Sequence, residues 1–216
     1  MRARIKQWGV WIVIFSFFAL EGAYFLTLFR TADYHVIHVA LDDKIPFLPV
    51  FVVFYFFWYV YVPIHLIVSA RKNRDFFFLQ STTLLVTMLI CWLVFLIYPT
   101  CIDFIPKVTG NDPFSALCRF LYDIDQPINV FPSMHCANAV AIHLTVCFAG
   151  PFRNKRIWHI LDTAVCIMIC LSTLFIKQHS VLDAVAGIIL AVVVFLVVRT
   201  LYLRRRKTNH TSKENL

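Results

Sequence analysis

Asn129-Val-Phe-Pro-Ser-Met-His-Cys136 stands at the mouth of an apolar segment, where a membrane chain should carry few polar groups. Pro132 suits the first turn of a helix, where its missing N–H is no loss. Ser133 is placed to cap that helix or to sit among its free first-turn N–H groups. His135 then lies beside the positive end of the helix dipole. Free donors, a hydroxyl and an imidazole converge on one spot, and helix N-termini bind anions, phosphate above all. A second group lies downstream, Lys177-Gln-His-Ser-Val-Leu-Asp183. His179 and Asp183 are four apart, so on a helix they share a face. A carboxylate beside an imidazole fixes its tautomer and raises its basicity.

Around these stretches the chain is apolar. Its 216 residues are 60% hydrophobic, with 22 Phe and a mean hydropathy of +0.75. No soluble domain of this size hides that much apolar surface. The expected fold is all-α, a polytopic membrane helix bundle forming a single domain over residues 1–216. Six transmembrane helices are expected at 8–29, 46–70, 76–98, 132–150, 157–176 and 181–203, followed by a basic cytoplasmic tail over 204–216. The first run is long for the apolar part of a signal peptide and has no clear cleavage site, so it reads as a retained span. Glu21 inside it is costly, and the expectation is a carboxylate near the membrane edge paired to a neighbouring span. Residues 30–45 mix charge with Val and Ile and read as an interfacial helix. Residues 99–130 form the longest loop, and loops of that length are often functional. Within it, 114–122 reads as a short helix lying on the bilayer.

The net charge of +8 sits at span ends, which is the signal of membrane topology and not of a nucleic-acid partner. Of 20 Lys and Arg, 15 fall on the side that holds both termini and 5 on the other. The richer side is cytoplasmic by the positive-inside rule. Both motifs then lie on the extracytoplasmic face, with the plasma membrane as the expected location. Asn209-His-Thr211 fits the glycosylation pattern but lies on the cytoplasmic side and is expected to stay unused. Cys91, Cys147, Cys166 and Cys170 fall within spans and read as small buried hydrophobes. Cys101 and Cys118 share the long loop and are able to pair if it faces an oxidising compartment. No C-x-x-C spacing occurs, and the histidines outside the motifs suggest no ligand set.

Pro132-Ser-Met-His135 resembles the P-S-x-H motif of the type 2 phosphatidic acid phosphatase superfamily. Ser172 through Asp183 resembles that family's S-R-x5-H-x3-D motif, with the Ser, His and Asp spacings intact. The resemblance covers residues 129–187. The family's first motif, K-x6-R-P, is absent, and Thr173 stands where the family has Arg. Lys177, two residues before His179, is similar to the branch that includes inositol phosphorylceramide synthase-like enzymes.

Hydrolysis of a phosphate ester is among the slowest uncatalysed reactions, so an enzyme must both supply a nucleophile and stabilise equatorial charge. Neutral His179 is the candidate nucleophile, forming a phosphohistidine, with Asp183 stabilising the imidazolium that results. His135 is the candidate to protonate the leaving oxygen and then activate water or an acceptor alcohol. The resemblance implies these same roles. Ser133, Lys177 and backbone N–H groups are expected to hold the phosphoryl oxygens. Arg119 and Lys107 are proposed, from loop position, to supply the cations of the missing motif. No cofactor and no metal are implied. The substrate is expected to be a lipid phosphate or prenyl diphosphate among membrane lipids, and the oligomeric state is open. Hydrolysis, transfer of a phosphate-bearing head group to a lipid alcohol, and non-enzymatic lipid carriage all remain readings; the retained His135, His179 and Asp183 argue against the last.

Overall fold

Long apolar runs leave the backbone no hydrogen-bond partner in lipid but itself, so the chain folds into helices. A computed structural model describes residues 2–27, 32–151 and 154–214. Its helices are α1 (Arg2–Thr27), α2 (Val52–Lys72), α3 (Arg74–Ile97), α4 (Pro113–Ile124), α5 (Met134–Ala149), α6 (Arg156–Phe175) and α7 (Val181–Glu214). The stretches Pro49–Lys72, Arg74–Ile97, Arg156–Phe175 and Val181–Thr208 are long and apolar enough to cross a membrane. The apolar part of α1, Trp11–Tyr24, and the whole of α5 are shorter. The chain is thus an all-α membrane bundle, while helix length and composition alone support four crossings among the described residues, not six. Residues 28–29 of the first expected span and 152–153 of the turn between spans four and five lie outside the described residues. Helix α7 runs past the expected end at 203 to Glu214, so the described part of the basic tail is helical.

Polar residues set the helix starts. Asn73 ends α2 and caps α3, its side chain accepting the Phe76 N–H at 3.0 Å. Asp112 caps α4 by accepting from Phe114 and Ser115, with Pro113 at the first helical position. Helix α4 matches the short helix expected within the long loop, and its buried Cys118 and Leu121 pack with Val52, Tyr55 and Ile176. The expected helix over 30–45 does not form in its described part, 32–45; residues 30–31 lie outside the described residues. His35–Val36 (β1) instead pairs in parallel with Thr100–Cys101 (β2), and Asp42–Lys44 makes a single 3-10 turn. The β-branched residues there suit extended backbone, and the buried Asp42 carboxylate anchors the segment. That carboxylate accepts from Val39 N–H, Ser180 Oγ–H and Val181 N–H, which caps the start of α7.

Helix α5 sits at the centre, packed against α2, α3, α6 and α7. Ala137, Ala139 and Ala141 are buried along it, and small residues let membrane helices approach closely. At Gly187 of α7 the two helices approach so closely that a Cβ would collide with the Ser133 carbonyl. Gly187→Ala should therefore force α7 away from the start of α5 and cost about 1–3 kcal/mol, the usual scale of overpacking. A thermal melt of the purified variant checks this; an unchanged midpoint would mean that the two helices stand further apart.

Candidate active site

One end of the bundle gathers the starts of α5 and α7, the ends of α1 and α3, and the loops that precede α5 and α7. Between them, walled also by Tyr55, Trp58 and Tyr59 of α2, lies a narrow cleft. Ser133 begins α5 as its N-cap, its Oγ accepting the Cys136 N–H at 3.4 Å. Pro132 lies outside the helix and not in its first turn, because Ser133 takes the extended cap position ahead of Met134. The Phe131–Pro132 bond is cis. The Ser133 N–H donates to the Asp183 carbonyl at 2.9 Å, which ties the first motif to the second. Met134 and His135 then line the cleft.

His179 arrives by a tight exit from α6. The Thr173 carbonyl accepts both the Gln178 and His179 N–H groups, at 3.0 and 3.1 Å. Lys177 takes a left-handed backbone, φ 55°, a conformation that costs a side-chain-bearing residue energy and persists only where its surroundings enforce it. The His179 Nδ1 lies 3.1 Å from the Val130 carbonyl and 3.6 Å from Asp183 Oδ2. A carbonyl only accepts, so Nδ1 carries the proton and Nε2 keeps its lone pair. Burial pushes the His179 pKa down, but the Asp183 carboxylate outweighs it and raises the pKa above the ordinary histidine value. Asp183 is fully buried; its Oδ2 accepts the Ser180 N–H at 2.8 Å, and its Oδ1 has no hydrogen-bond partner.

The His135 ring stands 5.9 Å from that of His179, centroid to centroid. Its Nδ1 is 3.4 Å from the Tyr55 hydroxyl, which donates to Asp125 Oδ2 at 2.6 Å. With its hydrogen committed to Asp125, the Tyr55 oxygen accepts from the Nδ1–H of His135. The His135 Nε2 is buried without a partner. Both histidines therefore hold a proton on Nδ1 and keep Nε2 free at the cleft. Asp125 also accepts from Tyr24 at 3.2 Å and Tyr59 at 3.5 Å. Burial raises its pKa, and the three tyrosine hydroxyls and His179 oppose that shift.

The expected phosphate ligands do not all reach this cleft. Ser133 is fully buried, and its Oγ serves as the helix cap. Lys177 sends its Nζ to the Asp42 carbonyl at 2.5 Å, with the Phe104 ring 5.5 Å away. Arg119 donates from Nη1 to the Val108 and Gly110 carbonyls, closing its own loop. Lys107 is exposed and lies outside the cleft. The physical reason is common to these cations: the loops leave backbone carbonyls in need of donors, and Lys177 and Arg119 satisfy them. Ser172 likewise turns its hydroxyl to its own helix, donating to the Ile169 carbonyl at 2.6 Å. Cys101 and Cys118 are free thiols, and Cys118 contributes to packing beneath α4.

Two groups, Asp125 with its tyrosines and Asp42, were missed from sequence, and a third, Glu21, was assigned a different environment. Glu21 lines the cleft with Oε1 buried and unpartnered, in place of the expected pairing with a neighbouring span. Asp125 and its tyrosines are separated by 66 to 101 residues in the chain, so no local pattern links them. Asp42, which braces the second motif, is 139 residues from Val181. The nearest signal was the acidic run Asp123-Ile-Asp125 just before the first motif.

Apolar helices long enough to cross a membrane, around a cleft that holds two imidazoles, define a class, an integral membrane protein. A sequence profile of the PAP2 superfamily matches residues 99–207, about half of the chain and both motifs. The chain belongs to the PAP2 superfamily, whose members are phosphatases and phosphotransferases. No curated protein and no solved structure matches it.

Proposed function

We propose that this protein is a membrane lipid phosphatase that removes phosphate from a lipid phosphate or prenyl diphosphate through a phosphohistidine on His179. The observation that carries the reading is the pair of free Nε2 atoms on adjacent rings, each imidazole held through Nδ1. His179 Nε2 attacks phosphorus, and the bond to the lipid oxygen breaks. The positive charge that develops on the ring is met by Asp183 and the Val130 carbonyl at Nδ1. His135, once it has taken a second proton onto Nε2, gives that proton to the leaving oxygen, then takes one from the attacking water as the N–P bond breaks. The Tyr55–Asp125 chain behind His135 holds its Nδ1–H and orients the ring. Phosphate release from a panel of lipid phosphates by the purified protein tests this, and an inert protein across the panel sinks it.

A second reading, transfer to a lipid alcohol, is favoured by the scarcity of Lys and Arg in the cleft, which suits a singly charged diester better than a dianionic monoester. The same panel run with acceptor lipids separates the two.

The pH profile offers a separate check. Attack needs neutral His179, whose pKa Asp183 raises, so activity should fall with acid through a point above the ordinary histidine value. Asp183→Asn removes the group that raises it. The variant should lose rate and also shift that acid limb to lower pH; a limb that stays in place means His179 is not the titrating group.

For topology, the 15-to-5 division of Lys and Arg supports six spans, both termini in the cytoplasm and the cleft outside, in the plasma membrane. A tag after Leu216 that protease removes from intact cells would overturn this orientation.

A further inference from the structure

The cleft is acidic for a site that receives phosphate. Glu21 and Asp125 line it and Asp183 stands just behind His179, while Lys177 and Arg119 are engaged by carbonyls elsewhere. Among the described residues no group of three or more His, Cys, Asp or Glu is arranged to hold a metal ion. Asp125 is met by tyrosine hydroxyls and Asp183 by the Ser180 N–H and His179, so the carboxylate left calling for a cation is Glu21, whose Oε1 has no donor.

The cleft wall says where that cation goes. Glu21 Oε1, Trp58 Nε1 and His135 Nε2 are all buried without a hydrogen-bond partner. Trp58 is 4% exposed and His135 9%, so neither is satisfied by open water. Glu21 and Tyr24 share a face of α1, and Tyr24 donates to Asp125, so the orphan acceptor belongs to the acidic side. Tyr24, Tyr55, Trp58 and Tyr59 wall that side, and aromatic faces attract cations. The orphan His135 Nε2 belongs to the other side, next to His179.

We propose that the cleft recognises a phosphoryl head group that carries its own positive charge, a primary ammonium as in phosphoethanolamine, held between Glu21, Asp125 and the aromatic wall with its phosphorus against His179. This rests on the reading of the cleft as a phosphoryl-transfer site. The ammonium donates to the orphan Oε1 of Glu21, which a quaternary ammonium leaves unpaired. A zwitterionic diester also brings no net charge into a cleft poor in Lys and Arg. His179 Nε2 bonds to phosphorus as the bond to the diacylglycerol oxygen breaks, and that oxygen takes the proton that His135, protonated beforehand, carries on Nε2. Phosphoethanolamine then sits on His179. A hydroxyl, of water or a lipid alcohol, attacks phosphorus, returns a proton to His135 and frees His179.

The test uses purified full-length protein in mixed micelles with head-group phosphate-labelled phosphatidylethanolamine, phosphatidylcholine, phosphatidylglycerol and phosphatidate. Diacylglycerol release and label on His179 are followed for each. Phosphatidylethanolamine should react about tenfold or more faster than phosphatidylglycerol, a diester of similar size without the cation. Glu21→Gln should shrink that ratio, chiefly by raising KM for phosphatidylethanolamine. Phosphatidylglycerol or phosphatidate reacting as fast as phosphatidylethanolamine overturns the head-group assignment, and label on His179 in that case leaves the phosphoryl-transfer reading standing. Phosphatidylcholine outrunning phosphatidylethanolamine overturns the ammonium assignment, as does an unchanged ratio in Glu21→Gln. No label on His179 from any of the four donors overturns the underlying reading and this inference with it.

Discussion

Replacing His179 by alanine should abolish turnover, with kcat falling on the order of 10⁶-fold, the scale at which a deleted catalytic nucleophile acts. The expectation rests on one atom. The Val130 carbonyl claims the Nδ1–H of His179 at 3.1 Å, which leaves the Nε2 lone pair available at the cleft. The same bond orients the ring before substrate arrives, so little reorganisation is needed at attack. The fold should survive, because His179 packs at the rim of the bundle and its loop is also held by the Thr173 carbonyl and by Asp42. Phosphate release by the variant, alongside its melting temperature, checks both halves. A stable His179→Ala protein that keeps more than a trace of activity contradicts the assignment.

His135→Ala should be nearly as damaging for a poor leaving group and much less so for a good one. A positioned acid contributes about 10²–10⁴-fold. A lipid alkoxide needs that proton, whereas a nitrophenolate leaves without it. Turnover of a lipid phosphate should drop across that range, while the first step with a nitrophenyl phosphate should be largely retained. Rapid mixing that shows equal loss for both leaving groups would remove His135 from the acid role and leave it a binding residue. Tyr55→Phe is informative beside it: it breaks the link from His135 to Asp125 and should steepen the dependence on leaving group in the same direction as His135→Ala, but by less, because the acid itself remains.

The sequence carried some of this geometry and hid the rest. Ser133 was legible as a cap because helix starts follow local rules, and the structure has it accept the Cys136 N–H. The spacing of His179 and Asp183 put them on one helix face; the structure instead leaves His179 in the loop before α7, yet the two side chains lie 3.6 Å apart. The short helix in the long loop was legible from Asp112 and Pro113 at its start. Directions of long side chains were not legible. Lys177 sits between the motifs in sequence, yet its left-handed backbone carries the ammonium to Asp42. Arg119 faces its own loop because two carbonyls there lack other donors. Residues 30–45 looked amphipathic, but a helix there would forfeit the pairing of His35–Val36 with Thr100–Cys101. The places of Asp125 and Glu21 in the cleft were not legible for a different reason. Their environment is made by rings from distant helices, and no periodicity in either segment reports it.

The central claim is that phosphorus is transferred first to His179. The most direct measurement is rapid quenching of the His135→Ala protein with a ³²P-labelled substrate bearing a good leaving group, followed by location of the label. The account predicts acid-labile label on His179 in that variant, accumulating because the second step lacks its base, and none in His179→Ala. Label that persists in His179→Ala, or water attack with no labelled protein in any variant, would contradict it.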